Sequence, residues 1–269
     1  MVSEIALYFI ANFVLFAVVL VGWFDIRRPD RLPAKVAPGL AISFAAVQGM
    51  GLIWSGARLG VLSMAQLWLA IMLMIEVAVL LCCVLERKVA PRAATPIVAT
   101  LAFVIHSCVL ILAPPPSAVA VSISPLARNT WYLLHVVGLL VAWGAYVCAA
   151  GGAIAHLVTV SLGRGRDRMT QTPQRNHQLF WLRALIFAFP WLTGAIFAHA
   201  LWTYLTWGSY WPWRPSGIWP LVLWLTLVLT LHMGTRPRWR GTTGALLTIL
   251  GLTVALLTLP LLSQGLTAW

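Results

Sequence analysis

The sequence predicts an all-α fold: a polytopic membrane bundle of about eight transmembrane helices with both termini outside. Three observations carry this. Of 269 residues, 61% are hydrophobic and only 9% charged, and a mean hydropathy of +0.90 suits lipid rather than water. The apolar residues fall into runs of spanning length divided by Pro, Gly and Arg clusters. The basic residues gather in alternate connecting segments.

Taken in order, the runs place helices at about 5–24, 37–54, 62–84, 95–113, 131–160, 179–206, 219–234 and 243–262. The first is read as a retained helix, because Glu4 and the absence of a basic leader do not fit a cleaved signal. The fourth stops at Pro114-Pro115-Pro116, which opens an outer segment running to Asn129. The sixth carries Pro190, a kink that neighbouring helices can tolerate. The seventh is short for a full span, which lets it begin within the aromatic run that precedes it. The whole chain, 1–269, is one transmembrane domain without a repeat or a separate soluble unit.

Basic residues set the orientation. One set of alternate connections carries all of the 18 Lys and Arg except Arg58, Arg128 and Arg214. By the positive-inside rule that set is cytoplasmic, so both termini and the aromatic run face outward from the plasma (inner) membrane, toward a periplasm or its equivalent. A formal charge of +12 distributed this way reflects lipid topology and does not call for nucleic acid.

Cys82, Cys83, Cys108 and Cys148 lie in apolar segments, in neither a C-x-x-C-H nor a zinc spacing, and packing is their simplest use. With six acids, and Asp30, Glu86 and Asp167 beside Arg clusters, hydrolytic or phosphoryl chemistry has few actors. Glu76, deep in the third helix, suits a polar contact between helices or proton movement.

The centre of the chain is Trp207-Gly208-Ser209-Tyr210-Trp211-Pro212-Trp213-Arg214-Pro215-Ser216-Gly217-Ile218-Trp219, an outer Trp-rich loop over 207–219, with Trp202 and Trp224 at its edges. An interfacial belt places one or two aromatic rings at a helix end, and this density exceeds that. Flat indoles held at a membrane face by Gly and Pro suit a flat amphipathic ligand such as a porphyrin.

The run resembles the tryptophan-rich "WWD" segment of the cytochrome c assembly family, the haem-handling membrane proteins of the CcsA, HemX and CcmC kind. Leu231-His232, Arg236 and Trp239-Arg240-Gly241 follow it as in that pattern, while Trp131-Tyr132-Leu133-Leu134-His135-Val136 and Phe189-Pro190-Trp191-Leu192-Thr193-Gly194 match the helices before it. The likeness covers roughly 130–269. There are two departures. Arg214 stands where the family has an acid, with Ser216-Gly217 for its Lys-Glu, and Thr267 stands where a terminal His is usual.

The resemblance implies haem b as cofactor, with His135 and His232 at its iron-ligand positions. It also implies a surface for haem formed by Trp207, Trp211, Trp213 and Trp219. Ionisable groups within a bilayer are functional candidates in their own right. His135 and His156 stand ~31 Å apart on one unbroken helix, one near each face. His232 falls near the depth of His156, and His106 and His199 fall in the outer half with His135. Paired imidazoles on facing helices are the usual axial ligands of haem iron. His156, His106 and His199 are further iron-ligand candidates, although hydrogen bonding to a neighbouring helix is the simpler role for each. His199 or His106 could replace the missing terminal His. His177 is assigned to the cytoplasmic segment.

Arg214 either holds a haem propionate or sits at the interface, on lipid phosphate or Trp213. Ala149-Ala150-Gly151-Gly152-Ala153 serves close helix packing or makes room for a macrocycle.

The resulting expectation is a haem-handling membrane protein of the cytochrome c biogenesis type, presenting haem at the outer Trp-rich loop. The resemblance implies a share in a cytochrome c haem ligase, with a partner membrane protein and apocytochrome c as associates. A b-type haem electron-transfer subunit and a haem-free structural subunit are the alternatives.

Overall fold

A computed structural model of the chain describes residues 2–28, 36–59, 67–89, 94–112, 129–161, 171–211, 213, 215–234 and 241–267. These form α1 (Val2–Arg27), α2 (Val36–Leu59), α3 (Leu67–Val89), α4 (Ala94–Leu112), α5 (Thr130–Ser161), α6 (Gln171–Trp207), α7 (Pro215–Gly234) and α8 (Thr242–Thr267), with no strand among the described residues. Seven helices are long and apolar enough to cross a membrane, and α8 contributes a shorter apolar stretch, Thr242–Leu257. The expected all-helical polytopic bundle is what forms.

Several boundaries differ from the expectation by up to five residues, α3 at 67–89 rather than 62–84 among them, and the start of α6 by more. α6 begins at Gln171 rather than near 179, because its first two turns, Gln171 to Gln178, are too polar to register as a span. α7 begins at Pro215, inside the aromatic run. Proline suits a first helical turn, where its missing N–H would have had no partner.

α5 is the axis of the bundle. Of its apolar window 78% is buried, against 28% for α1 at the lipid edge, and it packs against α3, α4, α6 and α8. Its small residues explain how. Gly138 and Gly152, four turns apart, look toward α6: a Cβ would meet the Trp191 carbonyl oxygen at 2.9 Å in one case and Phe180 Cδ1 at 2.7 Å in the other. Gly144 and Gly151, two turns apart, look toward α3 and α4, where a Cβ would meet the Met74 carbonyl oxygen at 2.5 Å and the side chain of Val98. The small-residue run is therefore filled by Val98, Phe180 and Trp181. It serves close helix packing, and the alternative of space for a macrocycle does not hold there.

The α5/α6 pair is an antiparallel hairpin with a constant register. Gly138 lies opposite Ala195, and Gly152 opposite Phe180 and Trp181. This register decides which histidines can meet.

Candidate functional site

At the end of the hairpin nearest the Trp-rich segment, His135 of α5 and His199 of α6 lie side by side, with ring centroids 4.6 Å apart and planes inclined at 39°. Both are buried, with 4% and 3% of their surface exposed. The Nδ1 of His135 lies 3.0 Å from the carbonyl oxygen of Ala195. A carbonyl can only accept, so Nδ1 carries the proton and Nε2 keeps a bare lone pair, the form in which imidazole binds a metal. Neither ring nitrogen of His199 has a hydrogen-bond partner. A buried polar group without a partner is costly, and the cost is retained where the group has a task. The hydrogen bond to a neighbouring helix expected in the simpler role for His199 is not among those the described residues make.

An aromatic wall closes over the pair. Tyr132 packs on Trp202 at 4.7 Å, Trp202 lies 5.7 Å from His199 and 4.9 Å from Trp207, and Trp211 meets His199 edge-on at 5.9 Å. The chain reaches this arrangement through one turn. Gly208 takes a φ of 71°, open to glycine at no steric cost, and its N–H bonds the Tyr204 carbonyl at 2.8 Å, ending α6. The segment then folds back: Tyr210 stacks on Tyr204 at 4.2 Å, and the Thr203 hydroxyl lies 2.9 Å from the Tyr210 carbonyl. Trp211 is thereby laid against His199, its indole N–H buried without an acceptor.

The other expected site residues scatter. Trp213 is 79% exposed, and Trp219 is partly exposed in the first turns of α7. Arg214 lies outside the described residues. His106 donates from Nε2 to Gln48 Oε1 at 2.6 Å, while Gln48 Nε2 donates to the Met72 carbonyl at 2.8 Å. His106 thus belongs to a polar contact among α2, α3 and α4, as its simpler reading holds. Glu76 is buried nearby, with Oε2 unpartnered.

His232, in the last turn of α7, is exposed at the bundle surface. His156, by contrast, is 5% exposed and lies within electrostatic range of His177. The assignment of His177 to a connecting segment is corrected: it belongs to α6 and is 3% exposed. Sequence reasoning missed Tyr132 as part of the wall, and it missed His177. The signal for His177 was present. His135 to His156 is 21 residues and His177 to His199 is 22, so an antiparallel α5/α6 hairpin that joins one pair must join the other.

Among the described residues, no group of three or more His, Cys, Asp or Glu side chains could hold a bare metal ion. A pair of imidazoles suits an iron that arrives with its own equatorial ligands, since haem needs only axial donors from protein. A bare lone pair on His135, two uncommitted nitrogens on His199 and a flat indole wall fit that group.

Comparison with known proteins gives the family. The family model described as "Cytochrome C assembly protein" matches residues 60–265. A cytochrome c biogenesis protein CcsA of Synechococcus sp. (strain CC9605) is 31% identical over 160 residues, covering 50% of this chain and 53% of the relative. The CcsA of Chlamydomonas reinhardtii is 26% identical over 130 residues, covering 48% of this chain and 37% of the relative, and that of Mesostigma viride is 26% identical over 172 residues, covering 54% and 56%. The chain thus spans about half the length, or less, of the curated relatives it matches. Because the family match takes in α3 to α8 together with the Trp-rich segment and both hairpin ends, the chain belongs to the cytochrome c assembly protein family.

Proposed function

We propose that this chain handles haem b in cytochrome c assembly, with His135 and His199 beneath the Trp-rich segment as its iron ligands once the two rings, 4.6 Å apart at their centroids in the free protein, separate to admit the macrocycle. The observation that carries the reading is the buried imidazole pair, 4.6 Å apart, in which neither ring nitrogen of His199 makes a hydrogen bond. When bound, haem supplies the iron and the vinyl carbons to which c-type cytochromes are joined.

The residues divide the work. The Ala195 carbonyl fixes the His135 tautomer and ring plane. His199 completes the axial pair. Trp202, Trp207 and Trp211 exclude water and offer flat faces, and the free indole N–H of Trp211 can donate to a carboxylate of the ligand. Arg214, three residues on, is a candidate partner for a propionate. The arrangement of basic residues supports an outward-facing Trp-rich end in the plasma membrane, where an apocytochrome could meet it. A second membrane protein sharing the task, and apocytochrome c as the acceptor, are part of the proposal, as membership of the cytochrome c assembly family suggests.

The test is a pyridine haemochrome assay and a reduced-minus-oxidised spectrum of detergent-purified protein, with His135→Ala alongside. Haem b in the parent and its loss from the variant are expected. A parent that never binds haem, even when haem is supplied during expression, would leave a structural subunit as the reading. The alternative is a b-type haem electron-transfer subunit. That alternative requires stable, reversible haems with no transfer to apocytochrome c.

A further inference from the structure

The tightest approach of α3 to the axial helix leads to a pair of thiols that the haem-handling reading does not use. At Gly144 of α5 a Cβ would lie 2.5 Å from the Met74 carbonyl oxygen and 2.8 Å from the Val77 Cβ, so the two backbones are nearly in contact. One turn further along α5 stands Cys148, and further along α3 in the same direction stands Cys82. Their thiols are hydrogen-bonded to each other. Cys148 is 0% and Cys82 4% exposed, and neither is in a disulfide.

A thiol buried in apolar surroundings is ordinarily inert, because nothing there takes its proton. Cys82 has an acceptor. Its Sγ lies 3.9 Å from the Thr95 hydroxyl of α4, and Thr95 is hydrogen-bonded in turn to the Glu86 carboxylate. Glu86 is half-buried, one turn beyond Cys82 and beside the exposed Arg87 and Lys88. A hydroxyl can accept from a thiol while donating to a carboxylate, so Thr95 links the buried sulfur to a base at the end of α3.

We infer that Cys82 and Cys148 form a peroxide-oxidisable dithiol that closes to a disulfide between α3 and α5, with Glu86, acting through Thr95, as the base that frees the Cys82 sulfur. The close-packed seam suits a small, uncharged oxidant able to cross the bilayer, and hydrogen peroxide is that co-reactant. The Cys82 proton passes through Thr95 to Glu86, and the sulfur attacks one peroxide oxygen. The O–O bond breaks, the departing hydroxide recovers the proton from Glu86 and leaves as water, and Cys82 becomes a sulfenic acid. The Cys148 sulfur then attacks the Cys82 sulfur: the S–S bond forms, the S–O bond breaks, and hydroxide leaves with the Cys148 proton as a second water. The two thiols lose two electrons and the peroxide gains them. Cys83, half-buried, and Cys108, exposed, take no part. The bridge staples α3 to the axial helix ~20 Å along α5 from His135, and it stands independently of the haem reading.

The test counts reactive thiols in the whole chain, in membranes, before and after hydrogen peroxide, by labelling the denatured protein with maleimide-polyethylene glycol. Four thiols should fall to two and return to four on reduction by dithiothreitol. Peptide mass spectrometry of the oxidised parent should map the bridge to Cys82 and Cys148, and Cys83→Ala and Cys108→Ala should leave it intact. Cys148→Ala should stop at a Cys82 sulfenic acid, trapped by dimedone. Glu86→Gln should slow closure by about tenfold or more with the same end point. Four thiols still reactive after peroxide, or a bridge that maps to Cys83 or Cys108, would overturn the inference, and the mass spectrum of the parent decides this even where a variant fails to fold. A Glu86→Gln rate equal to the parent's would overturn the role of Glu86 as the base.

Discussion

His199 lies 4.6 Å from His135 in a buried layer of the bundle, yet neither of its ring nitrogens makes a hydrogen bond. An imidazole in that position costs the free protein stability, a cost that ligation of haem iron, as proposed above, would offset.

That cost is measurable. His199→Leu, close in volume and without polar atoms, should make the haem-free protein more stable by about 1–3 kcal/mol, the penalty for an unpartnered buried polar group. It should also abolish haem retention at the outer site. Unfolding in denaturing detergent mixtures checks the first effect and haem content the second. Destabilisation by a similar amount would mean that the imidazole has a structural partner.

Gly208→Ala should cost about 1 kcal/mol, since an alanine at a φ of 71° is strained although no atom lies within 4 Å of its Cβ. The more specific consequence is local: the fold-back that lays Trp211 on His199 is weakened. A shift in tryptophan fluorescence and faster haem loss are expected, with the rest of the bundle unchanged.

Gly151→Ala should be destabilising by about 1–3 kcal/mol through its clash with Val98. Val98→Ala made together with it should recover much of that loss. A double-mutant cycle showing no coupling would contradict the α4/α5 packing described here.

Much of this was legible from the sequence, for identifiable reasons. Spanning helices announce themselves because lipid demands long apolar runs, so α1 to α5 lie close to where hydropathy placed them. The polar start of α6 carries no such signal, and it hid His177. The Trp-rich segment and His135 stood out by density and by likeness. His199 could not be told from an ordinary interface histidine, because whether its nitrogens find partners depends on three-dimensional neighbours. Trp213 and Trp219 looked equivalent to Trp211 in sequence. The turn at Gly208 and the Thr203 bond decide that only Trp211 reaches the pair.

Thr203→Val removes the hydroxyl that holds the Tyr210 carbonyl and should cost about 1 kcal/mol. Its larger effect should be a higher haem off-rate from the outer site with unchanged expression. An off-rate equal to the parent's would indicate that the segment is held without that bond.

The measurement that bears most directly on the account is the redox potential and ferric electron paramagnetic resonance of His199→Met against the parent. Methionine can still ligate haem iron, but it replaces an imidazole and raises the potential. Haem retained with a raised potential and a new axial signature is the predicted result. A potential and spectrum identical to the parent's would show that His199 is not a ligand, and the outer site as described would be wrong.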